Sequence, residues 1–356
     1  MPHRVFLHVG APKSGTTYLQ SRLHANRRQL RRHRVHYPTG PLGEPRLHYW
    51  AALDLTGADH GVEPRRVDGA WERLVAKVGR ASGDVVLSHE VLAKATPAQA
   101  QRALADLTAS GADVRLVLTA RDLARELASG WQESLKFGAR RTLREFLDRA
   151  RQGKSAFMRS FDPTRVLAAW GADLPGERIH VVTAPPPGRA GDLLWVRFLD
   201  ALDVDPAWAP REAERANASV GVPEAQVLRR LNGRLGARAK RGGDLSPLVD
   251  GLVVAHGLAP RRSAAITVGP DDLPWVTERS AAWVAWLRER GVTVHGDLDD
   301  LLPGEPPDDW ADPDAPRPRQ VAAAALDVVE VLLAEVHDRP APLGERLRRA
   351  VSRARG

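Results

Sequence analysis

Short apolar runs alternate with amphipathic segments along most of this chain. The runs over 4–9, 84–88, 113–119 and 178–183 are rich in Val, Leu and Ile and have the length of buried strands, and a further short strand is expected over 34–37. Helical spacing of apolar positions predicts helices over 16–31, 68–80, 97–110, 122–135, 142–151, 163–171, 190–201, 223–236, 278–290 and 319–337. This alternation predicts an α/β fold, with a parallel sheet flanked by helices on both faces and a mainly helical C-terminal part.

The chain is long enough, at 356 residues, to bury a large core as one α/β domain or as a domain with an appendage. We expect the main domain to occupy residues 1–240, and residues 241–302 to form a helical extension or to continue that domain. A stretch rich in Pro and Asp, 303–318, is predicted to be a linker that packs at Trp310. Residues 319–356 are predicted to hold a C-terminal helix and a basic tail.

The absence of cysteine narrows both the chemistry and the compartment. Without Cys, disulfides and thiolate metal sites are impossible, and a cytoplasmic location is favoured. The first residues are typical of a strand rather than of a charged segment followed by a long apolar stretch, so we expect no secretory signal. No apolar run approaches the length of a membrane span.

The formal net charge is +8, and much of the excess lies before the first acidic residue, Glu44. Between the first predicted strand and Glu44 the arginines are Arg22, Arg27, Arg28, Arg31, Arg32 and Arg34. Such a patch can attract polyanions or a highly charged nucleotide, but a solvated helix face accounts for most of these positions. Nucleic acid is not an expected partner, because no aromatic residues are interleaved with the patch and no helix-turn-helix, zinc-finger or RRM signature is present.

The loop after the first predicted strand has the features of a phosphate cradle. It runs from Gly10 to Gly15 and leads into a helix, so backbone N–H groups and the positive end of the helix dipole would converge on an anion. The two glycines have the spacing of the nucleotide-triphosphatase motif G-x-x-x-x-G-K-[ST], but Thr16 occupies the position of its lysine. The lysine of this chain is Lys13, inside the loop.

This P-K-S-G-T-T sequence, residues 12–17, resembles the 5′-phosphosulfate loop of sulfotransferases that use 3′-phosphoadenosine-5′-phosphosulfate (PAPS). The resemblance implies a P-loop-type fold with residues 1–240 as the PAPS-binding domain, PAPS as co-substrate and no metal ion. In such a site Lys13 stabilises the leaving phosphate. The other residues that the resemblance places at the 5′-phosphate are Ser14, Gly15, Thr16 and Thr17. The alternative is a Gly/Pro turn with an incidental lysine.

A second motif follows the apolar run 113–119. Arg121 and Asp122 come directly after it, and Ser129 stands eight residues beyond Arg121 in a predicted helix. In the sulfotransferases that this chain resembles, an arginine and a serine at that spacing hold the 3′-phosphate of PAPS. The chemistry fits, since a guanidinium offers a bidentate fork and a hydroxyl adds one donor. Without the loop motif, a solvated arginine and a surface serine would explain the pair equally well.

The run 84–88 ends in Ser88-His89-Glu90, and a parallel sheet places its ligands at such strand ends. Sulfuryl transfer needs a base that takes the proton of the acceptor hydroxyl. Related sulfotransferases often use a histidine for small phenols and alcohols and a glutamate for carbohydrates. Adjacent residues that leave a strand point to opposite sides, so we expect only one of His89 and Glu90 to face the sulfuryl group. Glu90 is the preferred base and His89 the alternative; a helix-capping Glu90 beside a surface His89 is the purely structural explanation.

Together these motifs predict in-line transfer of a sulfuryl group from PAPS to an acceptor hydroxyl, with release of adenosine 3′,5′-bisphosphate (PAP). The acceptor is a small-molecule or glycan hydroxyl; glycan, lipid, phenol and secondary-metabolite acceptors stay open, as does the oligomeric state. One alternative is a P-loop kinase or triphosphatase, disfavoured by Thr16 and by the lack of a convincing strand-end aspartate for Mg²⁺. The other is a sulfotransferase-like nucleotide-binding protein without turnover, disfavoured by the presence of Lys13 and Glu90.

Overall fold

A computed structural model describes residues 3–189, 192–213, 219–242 and 249–338 of the chain. Within these residues, six strands form one parallel sheet in the order β2-β3-β1-β4-β5-β6. They are β1 (Arg4–His8), β2 (Val35–His36), β3 (Asp84–Ser88), β4 (Asp113–Ala120), β5 (Ile179–Thr183) and β6 (Thr293–His295). The strands expected from the apolar runs are confirmed. Strand β6 was not predicted, because it is only three residues long and does not contain an apolar run.

Helices flank this sheet on both faces, as expected. The described α-helices are α1 (Thr16–Arg32), α2 (Leu47–Thr56), α3 (Pro64–Val67), α4 (Ala70–Gly79), α5 (Pro97–Ala109), α6 (Leu123–Lys136), α7 (Leu143–Arg151), α8 (Ala156–Phe161), α9 (Pro163–Trp170), α10 (Leu193–Ala201), α11 (Val222–Gly242), α12 (Leu273–Arg290) and α13 (Pro318–Asp338). A π-helical segment, Val249–Leu258, lies between α11 and α12. The helices predicted from spacing are confirmed, with ends that differ by a few residues.

Two hydrophobic cores lie on the two faces of the sheet, because alternate side chains of a strand point to opposite sides. Val5 and Leu7 of β1 belong to the core that includes residues of α2, α4, α5 and α9. Phe6 belongs to the other core, with residues of α1 and α10. Helix α2 was not predicted, since most of its residues are buried and they form no single apolar stripe at helical spacing.

β1 lies between β3 and β4 in the sheet. After β1 the chain builds β2 and β3 on one side, and then continues with β4, β5 and β6 on the other side. The loops after β1, β3 and β4 therefore meet at the carboxyl edge, at the point where the strand order reverses. In open parallel sheets this is where ligands bind, and the sequence motifs lie on these three loops.

The chain divides into two compact units. One contains the described residues within Met1–Gly130, Glu145–Asn217 and Thr267–Asp308, and it holds the whole sheet. The other contains those within Trp131–Arg144, Ala218–Ile266 and Asp309–Gly356. The domain boundaries expected at 240, 302 and 318 remain predictions.

The expected linker and tail fall in the last part of the chain. Residues 303–317 contain turns and irregular backbone, and Trp310 is partly buried there. Asp314 accepts hydrogen bonds from the backbone N–H groups of Leu143 and Arg144 at 2.9 Å each, so this stretch holds the start of α7. The predicted basic tail, from 339 onward, lies outside the described residues. None of the described helices has the length and hydropathy needed to cross a membrane.

Candidate functional site

The loop between β1 and α1 adopts a backbone suited to an anion. Lys13 and Gly15 have φ angles of 70° and 98°, in the left-handed region. Gly15 precedes α1 without a side-chain cap, and the first turn of α1 contains no acidic residue. The first N–H groups of an α-helix have no intrahelical acceptor and carry the positive end of the dipole. The loop therefore offers a bound anion backbone donors and an uncompensated positive field.

Gly10 is required by close packing where the loop leaves β1. A Cβ atom at this position would lie 2.5 Å from His8 Nε2, 2.5 Å from Thr119 Oγ1 and 2.7 Å from Thr16 Cγ2. The backbone at Gly10 lies directly against a group of buried polar side chains. Any side chain at position 10 would therefore push the loop away from them.

That buried polar group is a hydrogen-bonded chain across the ends of three neighbouring strands. His8 Nδ1 lies 2.8 Å from Ser88 Oγ, and His8 Nε2 lies 3.1 Å from Thr119 Oγ1. Ser14 Oγ lies 2.6 Å from Thr119 Oγ1 and donates to the carbonyl oxygen of Ala11 at 2.6 Å. The four side chains are 0–1% exposed. β3, β1 and β4 are thereby joined to the backbone of the loop between β1 and α1.

The hydrogen bond from Ser14 to Ala11 fixes the direction of the other three. Because Ser14 gives its only hydroxyl proton to Ala11, Thr119 must donate to Ser14, and Thr119 can then only accept from His8 Nε2–H. His8 Nδ1 is left as the acceptor for the Ser88 hydroxyl. Burial lowers the pKa of His8 to about 3, so this imidazole is neutral at physiological pH, as a single tautomer requires.

The hydroxyl residues of the loop differ in what they can offer a phosphate. Ser14 is turned inward, and both its hydroxyl and its backbone N–H donate to Ala11 O. A phosphate contact by the Ser14 hydroxyl remains a prediction, and it would require that hydrogen bond to break. Thr16 is buried at the start of α1, whereas Thr17 is exposed.

Arg121 follows β4, and its guanidinium is held by two neighbours from its own segment. Its Nη2 donates to the carbonyl oxygen of Arg125 at 3.0 Å, and its Nε donates to Glu126 Oε1 at 3.2 Å. Ser129, the other residue expected at the 3′-phosphate, lies half-buried on α6. The structure places the pair on one strand-to-helix connection, and the contact of both with one phosphate remains a prediction.

Glu126 is a buried carboxyl group that the sequence did not single out. Its side chain is 1% exposed, and its Oε2 has no hydrogen-bond partner among the described residues. Burial raises the pKa of Glu126 to about 7, even though the positive charges of Arg121, Arg125 and Lys13 lower it; Asp122 adds to the rise. Lys13 of the loop and Arg121 after β4 therefore both act electrostatically on this one carboxyl group.

His89 and Glu90 lie after β3, at the turn into the 3-10 helix Glu90–Lys94. His89 Nδ1 accepts a hydrogen bond from the Val91 N–H at 3.2 Å, and Glu90 Oε2 accepts one from the Gln20 side chain of α1 at 3.0 Å. The expectation that the two side chains diverge is wrong, since His89 Nδ1 and Glu90 Oε2 are 3.8 Å apart. Strand alternation does not apply, because Glu90 already belongs to the 3-10 helix.

The two candidate bases have shifted pKa values. Burial lowers the pKa of His89, which favours its neutral form. Burial alone would raise the pKa of Glu90, but three groups hold that pKa below its usual range: His89, which is protonated at the low pH where Glu90 titrates, the backbone N–H of Glu90, and the Gln20 amide. At neutral pH Glu90 is therefore a carboxylate. Neutral His89 uses its Nδ1 lone pair for the Val91 N–H, so its proton is on Nε2.

The structure thus places Lys13, Glu90 and Arg121 on the loops after β1, β3 and β4, which are neighbours in the sheet. Sequence reasoning missed Gln20, His8, Thr119 and Glu126. The signals available were a histidine at a strand end and an acidic residue inside the apolar stripe of a predicted helix. Pattern reading assigns both kinds of residue to solvent.

Comparison with known proteins gives a distant likeness. No protein-family model matches the chain, and no curated protein matches it. A crystal structure of a sulfotransferase from Alicyclobacillus acidocaldarius aligns with 68% of this chain and with 98% of its own chain, with 17% sequence identity and a TM-score of 0.38. At that level of similarity, the function has to be inferred from the residues of the site.

Proposed function

We propose that this protein is a PAPS-dependent sulfotransferase that transfers a sulfuryl group to an acceptor hydroxyl. The observation that supports the proposal most is the position of Lys13, Glu90 and Arg121 at the carboxyl ends of three adjacent strands. A cationic loop thus lies between a carboxylate on one side and a guanidinium on the other. Such a site has a cation for the leaving group, a base for the acceptor and a second anion-binding group.

The donor set fits a ligand that carries two separated phosphates. The loop between β1 and α1 offers backbone N–H groups and Lys13 to one phosphate, and Arg121 offers a guanidinium to the other. Gly10 and Gly15 leave the loop free of Cβ atoms where the backbone is tightest; a Cβ at Gly15 would lie 2.4 Å from Leu194 Cδ2. Glu126 does not fit this ligand, because its carboxyl group already accepts a hydrogen bond from the arginine that would bind a phosphate.

In the reaction, the acceptor oxygen forms a bond to the sulfur of PAPS while the bond between that sulfur and the 5′-phosphate oxygen breaks. The positive charge of Lys13 stabilises the negative charge that develops on the 5′-phosphate. The proton of the acceptor hydroxyl goes to Glu90. Glu90 suits this role better than His89, because it is ionised at neutral pH, whereas the Nδ1 lone pair of neutral His89 is occupied.

A ligand titration followed by thermal unfolding tests the proposal. PAP, AMP, ADP and ATP with Mg²⁺ are compared on the wild type, on Arg121→Gln and on Arg102→Ala. Arg102 is the control because it is an exposed arginine of α5 that pairs with Glu72. A ligand at a hundred times its dissociation constant adds about 2.7 kcal/mol of stability. We expect PAP to stabilise the wild type and Arg102→Ala, and to lose most of this effect on Arg121→Gln.

The other outcomes identify the alternatives. Stabilisation by ATP with Mg²⁺ but not by PAP would contradict the proposal and favour a P-loop kinase or triphosphatase. Stabilisation by PAP, together with no product from PAPS and any hydroxyl acceptor among phenols, glycans and lipids, would leave a nucleotide-binding protein without turnover.

A further inference from the structure

The carboxyl group of Glu126 already occupies part of the Arg121 guanidinium, which is the group that would bind the 3′-phosphate. Arg121 Nε donates to Glu126 Oε1 at 3.2 Å, and the carboxyl group is almost completely buried. Its second oxygen, Oε2, is also buried and has no hydrogen-bond partner among the described residues. A buried carboxylate normally has both oxygens satisfied, whereas a protonated carboxyl group needs fewer acceptor contacts and can donate.

A phosphate that binds at Arg121 brings a second anion to a group that already has one. Two negative charges on one guanidinium, inside a protein, repel each other strongly. Protonation of Glu126 removes that repulsion and supplies a hydroxyl proton at the unpartnered oxygen. We propose that phosphate binding at Arg121 is coupled to the uptake of one proton by Glu126, so that this site binds its ligand more tightly as the pH falls. This inference rests on the proposed function, which places the 3′-phosphate at Arg121.

The charged groups around Glu126 come from three segments. Arg121 and Asp122 precede α6, Arg125 lies on α6 with Glu126, and Lys13, on the loop after β1, acts on Glu126 through its charge. Arg125 is engaged by Asp122 and by the carbonyl oxygen of Pro185, the latter at 3.0 Å. Lys13 and Arg121, the cations nearest to the proposed ligand, are the ones whose charge a bound phosphate would neutralise.

The pH range of the effect follows from the carboxyl group itself. Burial sets the pKa of Glu126 near 7 without a ligand. A phosphate raises it further, since it adds negative charge and neutralises the cations that lower this pKa. Below pH 6 the group is protonated in both states and takes up no proton. Around pH 8 it is mostly ionised when free and protonated when the ligand is bound, so proton uptake is largest there.

Isothermal titration calorimetry measures this uptake directly. PAP is titrated into the wild type, Glu126→Gln and Glu72→Gln at pH 8, in two buffers of different ionisation enthalpy. Glu72 is an exposed glutamate of α4 and serves as the control. The phosphates of PAP titrate identically in all three titrations and cancel in the comparison. We expect the wild type and Glu72→Gln to take up close to one more proton than Glu126→Gln does.

The affinity gives a second measurement. Relative to Glu126→Gln, the wild-type dissociation constant for PAP should rise by about fivefold to tenfold between pH 6 and pH 8. One linked proton changes affinity by at most tenfold per pH unit, and with a pKa of about 7 for free Glu126 nearly all of that change falls between pH 7 and pH 8. Equal proton uptake by wild type and Glu126→Gln, with PAP bound to both, would overturn this inference and leave the proposed function intact. Absence of PAP binding at either pH would overturn both. If Glu126→Gln does not fold, the wild type must show less uptake with AMP, which lacks the 3′-phosphate, than with PAP.

Discussion

The side-chain amide of Gln20 donates a hydrogen bond to Glu90 Oε2 over 3.0 Å. Gln20 lies on α1, one turn beyond Thr16, so the helix that begins at the loop after β1 also donates to the candidate base. The loop and the base are separate in sequence, yet a single helix fixes both. Any movement of α1 would therefore alter the hydrogen bond that Glu90 receives.

Replacing Gln20 by Met should raise the pKa of Glu90. The amide stabilises the ionised carboxylate, because a hydrogen bond to a charged group is stronger than one between neutral groups, so its removal favours the protonated form. Since a base must be ionised, the acid limb of the plot of kcat/KM against pH should move to higher pH. An acid limb that does not move in Gln20→Met would mean that Glu90 is not the base.

Two substitutions at Lys13 can separate the effect of its left-handed backbone on stability from the effect of its positive charge on catalysis. A residue other than glycine in the left-handed region costs about 1–2 kcal/mol. Lys13→Gly and Lys13→Ala both remove the ammonium group, and we expect Lys13→Gly to be more stable by about 1 kcal/mol in urea unfolding. Both variants should lose about a hundredfold or more in kcat. Equal stability of the two would contradict the left-handed geometry, and unchanged kcat would contradict the catalytic role.

A methyl group at position 10 should disrupt the loop. In Gly10→Ala the new Cβ would lie 2.5 Å from both His8 Nε2 and Thr119 Oγ1, and overpacking of this kind costs about 1–3 kcal/mol. PAP binding should weaken with it. Gly233→Ala is the control: Gly233 lies inside α11 with open space at its Cβ position, and alanine there should add about 0.5–1 kcal/mol of stability. A Gly10→Ala protein as stable as the wild type would contradict the observed packing.

His8 should make the protein less stable in mild acid. Its pKa is about 3 in the folded chain, against an ordinary value of 6.5, so the unfolded state binds more protons between these values. The stability contributed by neutral His8 is fully present above pH 6.5 and is lost as the pH falls toward 3, with about 2 kcal/mol lost by pH 5. His8→Gln should show a shallower dependence of the unfolding free energy on pH between 5 and 6.5, by about one proton. The same slope in both proteins would mean that His8 is not held neutral.

The sequence predicted the elements of this fold well because burial leaves a regular pattern of apolar residues in most of them. A strand covered on both faces shows a continuous apolar run, and a helix covered on one face shows an apolar stripe. β1 and β3 are short apolar runs, and α1 and α6 have a regular apolar stripe, so spacing alone identifies them. α2 was missed for the opposite reason, since it is buried on several sides and shows no periodicity. β6 is too short to have a pattern of its own.

The candidate site was predicted only as far as its motifs extend along the chain. Lys13 and Arg121 belong to local motifs, but the partners of Arg121 depend on how α6 begins after β4. Glu126 is buried and accepts a hydrogen bond from Arg121, and no single-residue property of the sequence indicates either. The relation of Glu90 to His89 was wrong for a similar reason, as it depends on where the 3-10 helix replaces the strand.

The hydrogen-bonded chain from Ser88 to Ser14 has a consequence for how the site distinguishes its ligands. A loop that is fixed before the ligand arrives loses little conformational freedom on binding, so phosphate-bearing molecules of many kinds gain from it about equally. Selection among these phosphate-bearing molecules must then come from the part of the site that changes when a ligand binds. At the proposed 3′-phosphate site Arg121 would share its guanidinium between Glu126 and the ligand, so the proposed function assigns general phosphate binding to the loop and selectivity to Arg121.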